Sequence, residues 1–243
     1  MIRPHPLARW SAAAVVVVCC AALTGCSAIA GPPASCGPQS PRDLGVAGGT
    51  NKLLVPGDGT RPPRLCNVHF HRPGEHAGIG ACPAVESAAA IGVCDGQGSE
   101  PVRPGDEIEF HWVYTSCPPP AEPRPGLGNC VCDEPVLMVF GRKYVVSGEA
   151  AAGVDTALTE PTVDLARYGG STTGPSYGSG RPDDPKECSP ARVQWAVARQ
   201  CRALALSTLG TWCGTNDWRE DHAHGARPVI VREDWLSPYV PEE

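Results

Sequence analysis

Glycine and proline interrupt this chain too often for long helices to survive: 28 Gly and 27 Pro occur among 243 residues, close to a quarter of the whole. An interior Gly costs a helix about 1 kcal/mol relative to Ala, and a Pro about 3 kcal/mol. A helical bundle and a coiled coil are thereby excluded. Short apolar stretches between Gly/Pro punctuation predict short strands and long loops. The expected strands cover 65–71, 107–115, 136–140, 143–146 and 193–197, with a further apolar piece at 229–231. Residues 84–90 are the one short helix-like run before the final third. Two irregular stretches, 117–130 and 169–187, are bounded or followed by cysteines and read as stapled loops. The sequence therefore predicts a mainly β (α+β) domain with few short helices. Its core is expected to be a twisted, largely antiparallel central sheet with disulfide-stapled loops, forming one domain over 36–243.

The amino end sets the compartment. Arg3 and Arg9 precede an apolar run from Ser11 to Leu23, too short for the roughly 20 residues that span a membrane and typical of an export signal. The run ends in Leu23-Thr24-Gly25-Cys26, similar to the lipobox of bacterial lipoproteins. On that reading residues 1–25 are a signal peptide, Cys26 carries lipid, residues 26–35 are a tether, and the protein sits on the outer side of the membrane. The only membrane contact would then be the lipid. Cleavage after Ala28-Ile29-Ala30, which would release a secreted protein, is the alternative. Cysteine counting fits export either way. Setting aside Cys19, Cys20 and Cys26, ten remain: Cys36, Cys66, Cys82, Cys94, Cys117, Cys130, Cys132, Cys188, Cys201 and Cys213. An even number in an exported chain reads as disulfides, whose pairing spacing does not reveal. Cys130-Val131-Cys132 is too tight for the usual structural zinc spacing. A net charge of −6 supplies no footprint for nucleic acid.

His69-Phe70-His71 is the most informative triplet. On a strand, residues i and i+2 share a face, so both imidazoles project together. Neutral imidazoles held at that spacing suit zinc. The expected strand at 107–115 places Glu109, His111 and Val113 on one face, offering a third imidazole with an acid beside it. Asn67 stands in the same relation to His69 and can accept its ring N–H.

Six segments, in order along the chain, resemble the carbonic anhydrases, most closely the delta class with alpha-class echoes. They are Gln39-Ser40-Pro41-Arg42-Asp43-Leu44; Leu65 to His71 followed by Gly74-Glu75-His76; Glu107 to Val113; Tyr168 to Pro175; Val193-Gln194-Trp195; and Glu220-Asp221-His222-Ala223-His224-Gly225. The resemblance implies reversible hydration of CO2 to bicarbonate by attack of a zinc-bound hydroxide, with Co2+ or Cd2+ as alternative metals. It implies His69, His71 and His111 as ligands, with a fourth position left for water. It makes Thr172, or else Thr173, the gatekeeper that orients the nucleophile and donates its own proton to Glu75. Asn67 and Glu109 would fix the rings of His69 and His111, while Val113, Val193 and Trp195 would wall the CO2 pocket.

Two departures from the alpha class stand out. No histidine lies between Cys36 and His69, where those enzymes keep a proton shuttle, so buffer, water, or His222 or His224 would have to serve. A long insertion carrying Cys82 and Cys94 separates His71 from His111 and is expected to pack as a stapled loop. His76 is expected to pack or hydrogen-bond near Glu75, and the His222/His224 pair to be structural rather than a second metal site. Two rival functions are a noncatalytic binding module of the same fold and a surface zinc-binding lipoprotein.

Overall fold

Alternation of side chains across β1 (Arg64–His71) and β2 (Glu107–Thr115) organises the molecule. The computed structural model describes residues 44, 64–87, 91–122, 126–132, 135–173 and 188–226, with backbone alone at 168–173 and 188–192. β1 and β2 pair antiparallel with His69 opposite His111 and Phe70 opposite Phe110. Because successive residues point to opposite faces, this register puts every histidine of the two strands on one side and both phenylalanines on the other.

The remaining elements are β3 (Val136–Ser147), β4 (Val154–Asp155), β5 (Leu165–Thr173), β6 (Cys188–Ala198), β7 (Arg202–Ala205) and helix α1 (Leu206–Thr215). The sheet runs β1-β2-β3-β6-β5, with β7 paired to both β3 and β4. The expected strands at 136–140 and 143–146 are one continuous strand. Gly141, between the two expected ranges, lies within the ladder opposite His111. β3 is long enough to pair parallel with β6 along Val136–Gly141 and with β7 along Tyr144–Ser147.

The class is mainly β with stapled loops, as expected, and the sheet is mixed, with its longer ladders antiparallel and its shorter ones parallel. Its β1–β2, β2–β3 and β5–β6 pairings are antiparallel, whereas β3–β6, β3–β7 and β4–β7 are parallel. The reason is connectivity: after β3 the chain crosses over before β6 and β7 return in the same direction. Part of the expected irregular stretch at 169–187 belongs to β5, whose ladder with β6 holds the backbone extended to Thr173. Residues 84–87 of the expected helical run are not helical. Residues 88–90, the apolar piece at 229–231 and the amino-terminal segments through residue 43 lie outside the described residues.

The back of the sheet is the larger core. Phe70, Ile108, Phe110, Tyr144, Val146 and Leu204 pack with Leu206 and Leu209 of α1. Trp212 adds edge contacts at 5.8 Å to Phe70 and 4.9 Å to Phe110. Each such side chain, fully buried, contributes roughly 1.5–3 kcal/mol. Among described residues four disulfides form: Cys66–Cys130, Cys82–Cys201, Cys94–Cys213 and Cys117–Cys132. The insertion between the histidine strands is thus stapled, through Cys82 and Cys94, to the turn before β7 and to α1. Cys36 and the side chain of Cys188 lie outside the described residues.

Candidate metal centre

Three rings meet on the other face of the sheet. His69, His71 and His111 are 5 %, 8 % and 1 % exposed, and their ring centroids lie 4.7–5.3 Å apart pairwise. One nitrogen of each ring faces a hydrogen-bond acceptor. His69 Nδ1 is 2.6 Å from Asn67 Oδ1, His71 Nδ1 is 3.0 Å from the Gly225 carbonyl, and His111 Nε2 is 3.2 Å from Glu109 Oε1. An acceptor there takes the ring N–H, so the neutral imidazole keeps its lone pair on the other nitrogen. His69 Nε2 and His71 Nε2 consequently face one another across 3.1 Å.

Two lone pairs at that distance repel unless a cation joins them. A tetrahedral ion with N bonds of 2.0–2.1 Å separates its donors by roughly 3.3 Å, so the pair has the spacing of two ligands on one ion. A shared proton does not serve. Burial, then the neighbouring His71, His111 and His224, hold His69 well below its ordinary range. Burial likewise lowers His71 to about 3, against the opposing pull of Glu75. Both are neutral donors at pH 7.

Glu109, like Asn67, is fully buried. Burial alone would raise its carboxyl, but the rings of His76 and His111 hold it well below the usual carboxylate range. His76 places Nδ1 2.5 Å from Oε1 and donates its backbone N–H to Oε2 at 2.9 Å. The carboxylate fits because Gly141 carries no side chain: a Cβ there would stand 3.0 Å from Glu109 Oε1. His76 was expected to pack or hydrogen-bond near Glu75; the structure shows its ring and backbone N–H on Glu109. Glu75, 3 % exposed, has Oε1 3.4 Å from His71 Nδ1.

His224 brings a fourth imidazole. Residues 222–225 run beside the outer edge of β1, where His224 N donates to the Phe70 carbonyl at 2.8 Å and Arg72 N donates to the His224 carbonyl at 2.9 Å. Donor atoms of His69, His71 and His224 come within 4.8 Å of one another, as do those of His71, Glu75 and His111. The rings differ in orientation: His224 is stacked at 30° on His69, whereas His111 and His71 cross His69 at 86° and 68°. His222 stacks on His224 at 16° and binds Asp221 through Nδ1 at 2.7 Å.

Beside the rings the same face turns apolar. Val113, Val193 and Trp195, each 2 % exposed, share a cluster with Leu137, Val139 and Val197. Trp195 meets His111 edge-on at 5.0 Å and His76 at 4.9 Å. Thr172 lies at an irregularity of the β5–β6 ladder, between the paired positions Ser171 and Thr173. The side chains of Thr172 and Thr173 lie outside the described residues, as does Cys26. Sequence reasoning missed the Gly225 carbonyl on His71, His76 as the partner of Glu109, and the carboxylate of Glu220 on Asn67. The Gly74-Glu75-His76 and 220–225 segments were the available signals.

Fold and site together define a sheet protein with a buried, imidazole-lined cluster able to hold a metal beside an apolar wall. A family model described as delta carbonic anhydrase matches residues 83–208, a little over half the chain, and the chain belongs to that family. The matched span contains Glu109, His111, Val113, Val193 and Trp195, while β1 with His69 and His71 precedes it. No curated protein and no solved structure matches the chain. Family membership supports a carbonic anhydrase-like function. The four disulfides are consistent with an exported protein, and among the described residues no helix is long and apolar enough to cross a membrane.

Proposed function

We propose that the protein is a zinc enzyme that reversibly hydrates CO2 to bicarbonate, with His69, His71 and His111 holding the ion. The observation that carries the metal reading is the 3.1 Å approach of two imidazole lone pairs whose partner nitrogens are both committed to acceptors. Zinc bound by three imidazoles lowers the pKa of a coordinated water from 15.7 to about 7, supplying a nucleophile at neutral pH. Cobalt or cadmium would suit the same donors.

The chain's own groups do the rest. Asn67, Gly225 and Glu109 fix each ring so that one defined nitrogen is presented. Val113, Val193 and Trp195 supply an apolar surface against His111, suited to a substrate with no dipole for a polar pocket to hold. Thr172, or Thr173, is the proposed orienting hydroxyl, and buried Glu75 the acceptor of its proton. The proton released when water adds to CO2 passes to solvent or buffer. Substrate and product are small molecules, and neither nucleic acid nor a protein partner is required.

A stopped-flow CO2 hydration assay on the zinc-loaded protein, beside His111→Ala, tests the proposal. Zinc-dependent hydration lost in the variant supports it. Zinc bound without hydration favours the noncatalytic module or the zinc-binding lipoprotein. The proposed location is the outer side of the cell envelope through lipid on Cys26. Mass spectrometry of the amino-terminal peptide distinguishes an acylated Cys26 from a free terminus after Ala30.

A further inference from the structure

Glu220 links two groups at the metal centre through one carboxylate. It lies in the turn after α1, 3 % exposed. Asn67 Nδ2 donates to its Oε1 at 3.0 Å, and His224 Nε2 donates to its Oε2 at 2.8 Å. Asn67 Nδ2 also donates to the Gly126 carbonyl at 3.1 Å. A side-chain amide has two donor hydrogens on nitrogen and acceptor capacity only on oxygen. With both hydrogens drawn to a carboxylate and a carbonyl, the Asn67 oxygen has to face His69, where it stands 2.6 Å from Nδ1. An oxygen in that place admits only an N–H on Nδ1. The lone pair of His69 is therefore left on Nε2, the nitrogen that faces His71.

Glu220 is itself anchored. Its N–H donates to Asn216 Oδ1 at 3.0 Å, and its carbonyl accepts from Asn216 Nδ2 at 2.6 Å. Asn216 closes α1, whose Cys213 is bonded to Cys94. From this chain of contacts we infer that Glu220 is a positioning residue for the metal centre: acting through Asn67, it dictates which nitrogen His69 presents. The effect on metal binding rests on the zinc reading proposed above, whereas the effect on the His69 proton does not.

The experiment uses the whole protein as wild type, Glu220→Ala, Glu220→Gln, Asn67→Ala and the Asn67→Ala/Glu220→Ala double variant. Nitrogen-15 NMR of the metal-free forms reads which His69 nitrogen carries the proton, and chelator competition reads zinc affinity. Wild type and E220Q, which keeps an acceptor for Asn67, should hold the proton on Nδ1. E220A should show both tautomers and bind zinc about tenfold more weakly, the lower end of what supporting groups around a ligand contribute. In the Asn67→Ala background, removing Glu220 should cost nothing further in zinc affinity. An unchanged His69 tautomer in E220A, or an equal loss of zinc affinity with and without Asn67, overturns the inference and leaves Glu220 a structural residue. A tautomer change in a protein that binds no zinc upholds the inference while sinking the metal reading. Should E220A fail to fold, E220M fills similar volume without an acceptor and carries the same expectation.

Discussion

The two faces of the β1–β2 pair are built from alternate residues of the same strands, yet they obey different rules. On the back, Phe70, Phe110 and Ile108 meet α1 with no polar partner to satisfy. Such packing tolerates exchange of one apolar shape for another, since area and volume carry its energy. On the front, Asn67, His69, His71, Glu109 and His111 are equally buried, but every buried nitrogen and oxygen needs a specific partner at a specific distance. The back contributes apolar burial alone, whereas the front sets a buried imidazole and carboxylate cluster beside its own apolar patch. The link between them is α1, which packs on Phe110 through Trp212 and leads through Asn216 to Glu220.

This contrast can be broken by experiment. The largest effect is expected on the front: His111→Ala should weaken zinc binding on the order of 10³-fold, taking roughly 4 kcal/mol per ligand from the 10–16 kcal/mol of whole sites. Metal-free thermal unfolding of that variant should move less than that of Phe110→Ala. The latter should cost about 3–5 kcal/mol in denaturant titrations while the folded fraction binds zinc as wild type does. If the two variants exchange these signatures, the division between faces is wrong.

Removing the Cys94–Cys213 link, by changing both residues to Ser, should cost about 2–5 kcal/mol, because it closes a loop of 119 residues and ties α1 to the insertion. It is also expected to weaken zinc, since the turn carrying Glu220 follows that helix. A milder change on the front, Glu109→Gln, should lower zinc affinity about 10–100-fold with little change in unfolding midpoint.

The smallest effect at neutral pH comes from acid. His69 and His71 have folded-state pKa values below those of the unfolded chain, so unfolding takes up protons below about 6.5, and metal-free stability should fall from there toward pH 3. His69→Gln/His71→Gln should flatten that slope in urea titrations across pH. A slope that survives would place the acid-sensitive groups elsewhere.

The two histidine strands were legible because their side chains alternate with period 2 and their ends lie close to polar or turn residues. β1 begins one residue before the expected boundary and β2 has the expected limits. The site-face set Asn67, His69, His71, Glu109, His111 and Val113 followed from the same alternation. Helix α1 was not legible, because Leu206-Ser207-Thr208-Leu209-Gly210-Thr211 is poor in helix formers. Burial of Leu206, Leu209 and Trp212 with the Cys94 bond overrides that weakness. β7 is four residues long and carries no alternation of its own. β5 was hidden by glycines that its ladder with β6 holds extended.

Local spacing thus determined that His69 and His71 would share one face of a strand and that Glu109, His111 and Val113 would share one face of another, because the geometry of an extended chain is fixed residue by residue. It could not determine that His69 pairs directly opposite His111, which carbonyl binds His71, or how eight cysteines join. Those depend on contacts between residues 15 to 154 positions apart, and the partner is selected only when the whole chain has closed around the sheet. His69 and His111 take their acceptors from Asn67 and Glu109 two residues away, whereas the Gly225 carbonyl reaches His71 only once the chain has closed.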